Sequence, residues 1–271
     1  MSTQYTVTVT AMATADAEES GAVALAVASL PASFEPASEA TPAPQISAIE
    51  GAPGWTNEAI KAIDGGALGI VVVNPVPENT AALLDAAETA GVVVVLDQRW
   101  ASNPALVPAE DAVRSLAGRA AMLDSVATAA VGSDPERLLT EHLAAVVRVT
   151  GQLNALRVLR RGAHGYTMSG RLANGAPVSF QGLLSNARPA GVEIRLYTDD
   201  GGVSVAVPEP LAAWPAEVRA TGPQGEILLP TLYESAHRAT WRRLKEHLHA
   251  GTFPSDLAGF ARLTESIAHL F

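Results

Sequence analysis

The sequence predicts an α/β protein: a parallel-sheet half followed by a mainly antiparallel half. Three observations carry this. ALGIVVV (67–73) and GVVVVLD (91–97) are apolar runs of strand length, joined by a stretch of helical periodicity. From residue 153 onward, short alternating segments are separated by turn signals. Two helical patterns then close the chain.

In order, TVTVT (6–10) alternates like a strand. ADAEESGAVALAVASL supports two readings. Asp16 with Glu19 can form a capping box that starts a helix, or AVALAV can be a second strand. PASFEPASEATPAPQ (31–45) holds four prolines and no periodicity, so it is expected to be a loop or disordered. Thr56 can cap a short helix carrying Ile60 and Ile63 that ends at Gly65-Gly66. ALGIVVV is a buried strand stopped by Asn74-Pro75. Asn79 or Thr80 then starts a helix with Leu83, Leu84 and Ala87 on one face, and Gly91 closes it. With GVVVVLD this makes one βαβ unit, whose second strand delivers Asp97, Gln98, Arg99 and Trp100 to its carboxyl edge. Ligands of open α/β sheets bind at that edge.

AEDAVRSLAGRA and PERLLTEHLAAVVRVTG read as helices, the second apolar at Leu138, Leu139, Leu143, Val146 and Val147. LNALRVLRR, YTMSGRL, APVSFQGLL, VEIRLYT, GVSVAV and EILLP read as strands. Asn174-Gly175, Asp200-Gly201-Gly202 and Gly222-Pro223-Gln224-Gly225 mark hairpins between them. The last helices are TLYESAHRATWRRLKEHLHA and, after Ser255 as cap, DLAGFARLTESIAHLF. The expected division is residues 1–122 for the parallel half and 123–271 for the second half.

Composition narrows the chemistry. Apolar residues make up 48% and charged residues 17%, which is globular, and the absence of cysteine excludes disulfides, thiolate metal sites and thiol nucleophiles. Net charge is −10, and residues 1–60 carry seven acids and no base, so a nucleic-acid partner is not expected. No apolar run reaches membrane-spanning length, and acids rather than bases precede GAVALAVASLP. The expectation is a cytoplasmic protein with no membrane partner. His247 and His249 point to different faces of a helix, so no metal is expected. G-x-S-x-G, Walker and H-E-x-x-H motifs are absent. His142 at a helix start can be a buried hydrogen-bonded histidine or a functional one. Arg99 can hold an anionic ligand or pair with Asp97.

Three stretches carry a resemblance: ALGIVVVNPVPENTAALLDAAETAGVVVVLD, EHLAAVVRVTG, and the run from HGYTMSGRLANG through YTDDGG to the final helices. Their order resembles the glucose–fructose oxidoreductase/inositol dehydrogenase/MocA-like (Gfo/Idh/MocA) family of NAD(P)-dependent sugar and polyol dehydrogenases. The resemblance implies a Rossmann-like nucleotide-binding domain, here with a degenerate motif, and a C-terminal α/β domain with an open sheet. It implies NAD or NADP as cofactor and a sugar or polyol as substrate. It also implies a homodimer or homo-oligomer through the C-terminal sheet, with a partner subunit as a further option. The family's Glu-Lys-Pro falls on Asp97, Gln98 and Arg99, so Gln98 stands in the lysine position. Its Asp-x-x-x-His falls on Leu138 and His142, which keeps the histidine and loses the acid. Asn74, Pro75, Asp97 and Arg99 are the implied cofactor contacts, and Asn79 and His164 the implied substrate contacts. Between the first strand and its helix the chain offers AMATADAEESG, with three acids and no glycine before Gly21, where a phosphate-binding G-x-G-x-x-G belongs.

Overall fold

The computed structural model describes residues 4–9, 17–37, 44–210 and 214–270. The chain divides into two compact units. The first comprises residues up to Gln98 together with Ala236–Glu265, and the second runs from Arg99 to Ser235 and resumes at Ser266.

In the first unit five parallel strands, β1 (Tyr5–Val9), β2 (Phe34–Pro36), β3 (Ile46–Glu50), β4 (Gly69–Val73) and β5 (Val93–Asp97), lie in the order β2-β1-β3-β4-β5. The chain leaves β1 to one side and returns to β3 on the other, so the topological switch point lies between β1 and β3. Every residue of β4 and β5 is buried, as expected of strands covered on both faces. The helices are α1 (Ala17–Ala28), α2 (Trp55–Asp64) and α3 (Ala81–Ala90), with α6 (Ala236–Ala250) and α7 (Asp256–Ala268) from the chain's end.

AVALAV is helical, not a strand. Val23, Ala26 and Val27 are buried while Leu25 is 69% exposed, a 3–4 spacing that alternation would not give. The capping-box residue Asp16 lies outside the described residues. The proline-rich run also departs from expectation at one point. Phe34 anchors β2 in the core, 5.1 Å edge-on to Trp241 of α6, and Pro36 is tolerated because β2 is an edge strand. ISAIE forms β3, a strand that is not among those expected from sequence. Tight packing explains two glycines. A Cβ on Gly69 would lie 2.9 Å from Ile46 and 3.0 Å from Leu244 of α6, and one on Gly51 would lie 2.3 Å from the Pro75 Cα.

The second unit contains α4 (Leu106–Leu116), β6 (Met122–Ala129), α5 (Pro135–Thr150), β7 (Asn154–Gly162), β8 (Gly165–Arg171), β9 (Pro177–Leu184), β10 (Gly191–Thr198), β11 (Gly201–Pro208), β12 (Glu217–Gly222) and β13 (Gly225–Leu228). They form one eight-stranded sheet in the order β13-β12-β11-β10-β6-β9-β8-β7, antiparallel except for β6 with β9. The predicted glycine turns join β8 to β9, β10 to β11 and β12 to β13. β6 and β12 have no counterpart among the strands expected from sequence. Asp134 caps α5 by accepting from the Glu136 N–H at 2.9 Å, with Pro135 in the first turn. α5 is buried almost all round from Leu138 to Val146, which makes it the central helix of this unit. Among the described residues no helix is long and apolar enough to cross a membrane.

Candidate functional site

At the carboxyl edge of the first sheet the backbone is tightly joined. Asn74, at positive φ (48°), donates its N–H to the Asp97 carbonyl at 2.8 Å. Gly51 donates to Val73 and accepts from Val76, each at 2.8 Å, which holds Pro75 against Gly51. Glu78, which the sequence reading did not single out, turns back onto the start of α2. Its carboxylate accepts from the Gly54 N–H, from the Thr56 N–H at 3.3 Å and from the Thr56 hydroxyl at 2.9 Å. Thr56 is thus bound by the anion and is not itself the cap, a position taken by Gly54. Thr80 is the N-cap of α3, and the preceding Asn79 accepts from the Ala81 N–H through Oδ1 at 3.0 Å.

Asp97 is fully buried at the end of β5. One oxygen lies 2.7 Å from His237 Nδ1, and the other accepts from the Thr240 hydroxyl at 3.3 Å. His237 and Thr240 stand three residues apart on the first turns of α6, a spacing that puts both on one helix face. One residue back, Leu96 is clasped as well. Its N–H donates to Asp256 at 2.9 Å, its carbonyl accepts from Arg243 at 3.2 Å, and Arg243 pairs with Asp256 at 2.6 Å. Gln98 is half-buried and offers no titratable proton near neutral pH.

In the second unit, Arg99 pairs with Glu141 of α5 at 3.4 Å and with Glu209 after β11. These pairs, and not one with Asp97, are the ones observed for Arg99. Burial opposes the Arg99 charge, but the two carboxylates outweigh it and raise its pKa. For Glu141 the balance goes the other way. Burial raises its pKa despite Arg99 and Arg137, the latter at 3.3 Å.

His142 lies beside Glu141 in sequence and has no exposed surface. Its Nε2 is 2.7 Å from Ser125 Oγ on β6 and its Nδ1 is 2.9 Å from the Tyr166 hydroxyl on β8. Ser125 donates to the Glu193 carbonyl at 2.8 Å, so its oxygen accepts from His142 Nε2–H, and Tyr166 donates to Nδ1. Every proton in this chain has a place when the imidazole is neutral. Burial accordingly lowers the His142 pKa to about 3. Burial, followed by the charge of Glu141, raises the Tyr166 pKa well above 10. His164 is exposed in the β7–β8 turn, where its carbonyl accepts from the Leu184 N–H at 3.0 Å.

The structure thus brings Asn74, Pro75 and Asp97 together in the first unit. Asn79 sits just before α3, bonded to the Ala81 N–H, and Gln98 and His142 belong to different units. Glu78, His237, Glu141 and Glu209 were not anticipated. The His-x-x-Thr spacing on a helix following the sheet is the one sequence signal that could have found His237.

A dinucleotide needs a helix N-terminus for its pyrophosphate. The loop after β1 (residues 10–16) lies outside the described residues. Near the start of α2, Glu78 accepts from the Gly54 and Thr56 N–H groups, and at the start of α3 Asn79 accepts from the Ala81 N–H. A conventional phosphate seat after β1 would fall in that loop. Among the described residues no group of three or more His, Asp or Glu side chains could hold a metal ion.

These two units define an α/β fold shared with several dehydrogenases. The levoglucosan dehydrogenase complex with NADH and levoglucosan superposes with a TM-score of 0.75 at 13% identity, covering 98% of this chain and 97% of that one. KijD10, a 3-ketoreductase from Actinomadura kijaniata in complex with NADP and TDP-benzene, gives 0.73 at 12% identity, covering 99% and 97%. A dehydrogenase from Chromobacterium violaceum gives 0.67 at 14% identity, covering 98% and 94%. No protein-family model and no curated protein matches the chain in sequence.

Proposed function

We propose that the chain is a divergent oxidoreductase-class member of the Gfo/Idh/MocA-like family, an NAD(P)-dependent dehydrogenase-type protein directed at a sugar, polyol or derivative in the cytoplasm. The observation that carries this reading is the fold likeness, nearly end to end, to proteins solved with NADH and levoglucosan and with NADP and TDP-benzene. The family division, a nucleotide-type domain over 1–122 and a substrate and self-association domain over 123–271, belongs to the same proposal. So does a homo-oligomer formed through the second sheet.

A second reading, a non-catalytic subunit or sugar-binding module, is favoured by the polar groups at the carried-over positions. Gln98 cannot relay a proton, Arg99 is neutralised by two carboxylates, and His142 is enclosed and neutral. Calorimetric titration with NADH and NADPH, followed by levoglucosan, L-sorbose and myo-inositol, separates the two readings. Saturable dinucleotide binding with dinucleotide-dependent turnover supports the dehydrogenase. Sugar binding without dinucleotide binding supports the binding module, and no heat with any of them refutes both.

A further inference from the structure

Among the described residues the two sheets end in four edge strands, and an unpaired edge is a template for another strand. Three of the four are blunted. β2 is three residues long and contains Pro36. β5 is buried throughout, and Leu96 on it is held by Asp256 and Arg243. β7 shifts register twice against β8 and exposes Arg157, Arg160 and Arg161. Shortness, proline, bulges and cationic side chains are the usual means of keeping an edge from pairing.

β13 is short too, but it lacks the other three. All four of its residues are exposed, Ile227 by 66%, and its pairing with β12 shows no register shift. Its one charge, Glu226, is taken up by Arg219 at 2.9 Å. The hydrogen bonds fix which backbone groups are open. Leu229 donates its N–H to the Val218 carbonyl at 2.8 Å, and residues bonded to a neighbouring antiparallel strand alternate, so Ile227 and Gly225 face β12 as well. Glu226 and Leu228 therefore turn their N–H and C=O groups outward, where no described strand meets them. Pro230, the next outward position, has no N–H and ends the row.

This open row is self-complementary in one register. A strand that pairs with itself about a two-fold axis sets outward residues against outward residues. An axis at Glu226 puts two carboxylates opposite each other, which is unfavourable. An axis at Leu228 puts Glu226 opposite Pro230, which has no N–H to give. An axis at Ile227 pairs Glu226 of each copy with Leu228 of the other. That makes four backbone hydrogen bonds and sets the two Ile227 side chains against each other.

We propose that β13 is a self-association edge: two copies pair β13 to β13, antiparallel, about a two-fold axis at Ile227, and join their eight-stranded sheets into one. This makes specific the homo-oligomer of the reading above and rests on that part of it, independently of any dehydrogenase chemistry. Four residues per copy make a short interface, so the dimer is expected to be reversible and to depend on concentration.

The chain has no cysteine, so single-cysteine variants report the register. A non-hydrogen-bonded antiparallel pair holds its Cα atoms about 4.5 Å apart, within the disulfide range of about 4.4–6.8 Å. Under mild oxidation Ile227→Cys is expected to form an interchain disulfide, and Glu226→Cys and Leu228→Cys to form much less. Analytical ultracentrifugation of the full chain, from micromolar to millimolar, is expected to show a monomer–dimer equilibrium. Ile227→Lys sets two like charges across the axis and is expected to weaken the dimer at least about tenfold. Leu228→Pro deletes an outward N–H that β12 does not use and is expected to weaken it likewise. Leu159→Lys on β7, where Leu159 is 62% exposed, leaves dimerisation unchanged. A dimer that neither Ile227→Lys nor Leu228→Pro weakens overturns the edge and leaves self-association through another surface standing. Stronger crosslinking at position 226 or 228 than at 227 overturns the register and the proposal with it. A monomer at every concentration refutes both the edge and the homo-oligomer.

Discussion

His142 titrates far from neutrality, and this can be measured. Its pKa in the folded protein is about 3, against 6.5 for an unperturbed imidazole, and burial is the cause. Between these values the unfolded chain binds a proton that the folded chain does not, so stability rises with pH across the window. Each unit below 6.5 costs about 1.4 kcal/mol, so about 2.7 kcal/mol is lost by about pH 4.5 from this residue alone. The slope halves near pH 3, where the folded state is itself half protonated, and the loss is complete only below it. Urea denaturation of wild type and His142→Gln at several pH values isolates the effect, because other titrations cancel in the difference. The variant cannot titrate at this position, so its stability should fall less steeply on acidification, by about the same 2.7 kcal/mol at about pH 4.5. Equal pH slopes for the two proteins, or a His142 proton resonance that titrates near 6.5, would refute the sealed neutral imidazole. A near-neutral midpoint would also restore His142 as an acid–base group.

Two further predictions concern stability. Glu78→Ala removes the carboxylate that binds the start of α2 and should cost about 1–2 kcal/mol, with Glu78→Gln costing less. Thermal melts give the cost, and faster amide exchange should be confined to the first turn of α2; unchanged exchange at Gly54 and Thr56 would count against the cap. Arg99→Met strands Glu141, which is 8% exposed and retains only Arg137, so a loss of about 3 kcal/mol is expected. Adding Glu141→Gln should recover part of it in a double-mutant cycle, and additive losses would show that the two groups do not interact.

The parallel core was legible because its signals are local. GVVVVLD can only be a strand covered on both faces, and Asn74-Pro75 and Gly91 end their elements by their own backbone preferences. The short glycine turns at 174–175, 200–202 and 222–225 set the hairpins in the same way. Phe34 was hidden among prolines because its anchoring depends on Trp241, more than two hundred residues later. The polar site was the least legible part. Asp97, His237 and Thr240 are joined across about 140 residues, and so is Leu96 to Arg243. No periodicity or spacing rule connects residues that far apart, so a reading from sequence could place Asp97 at the sheet edge but not name its partner.

That same separation bears on what the chain can do. On the proposed reading, Gln98 alone would be a simple change, since another base readily takes a lysine's place. Here the neighbouring positions have also been bound into the fold. Arg99 is held by Glu141 and Glu209, and His142 is ordered between Ser125 and Tyr166 with every proton assigned. Introducing Lys at position 98 should therefore not create a proton relay through His142, because His142 is neutral and enclosed.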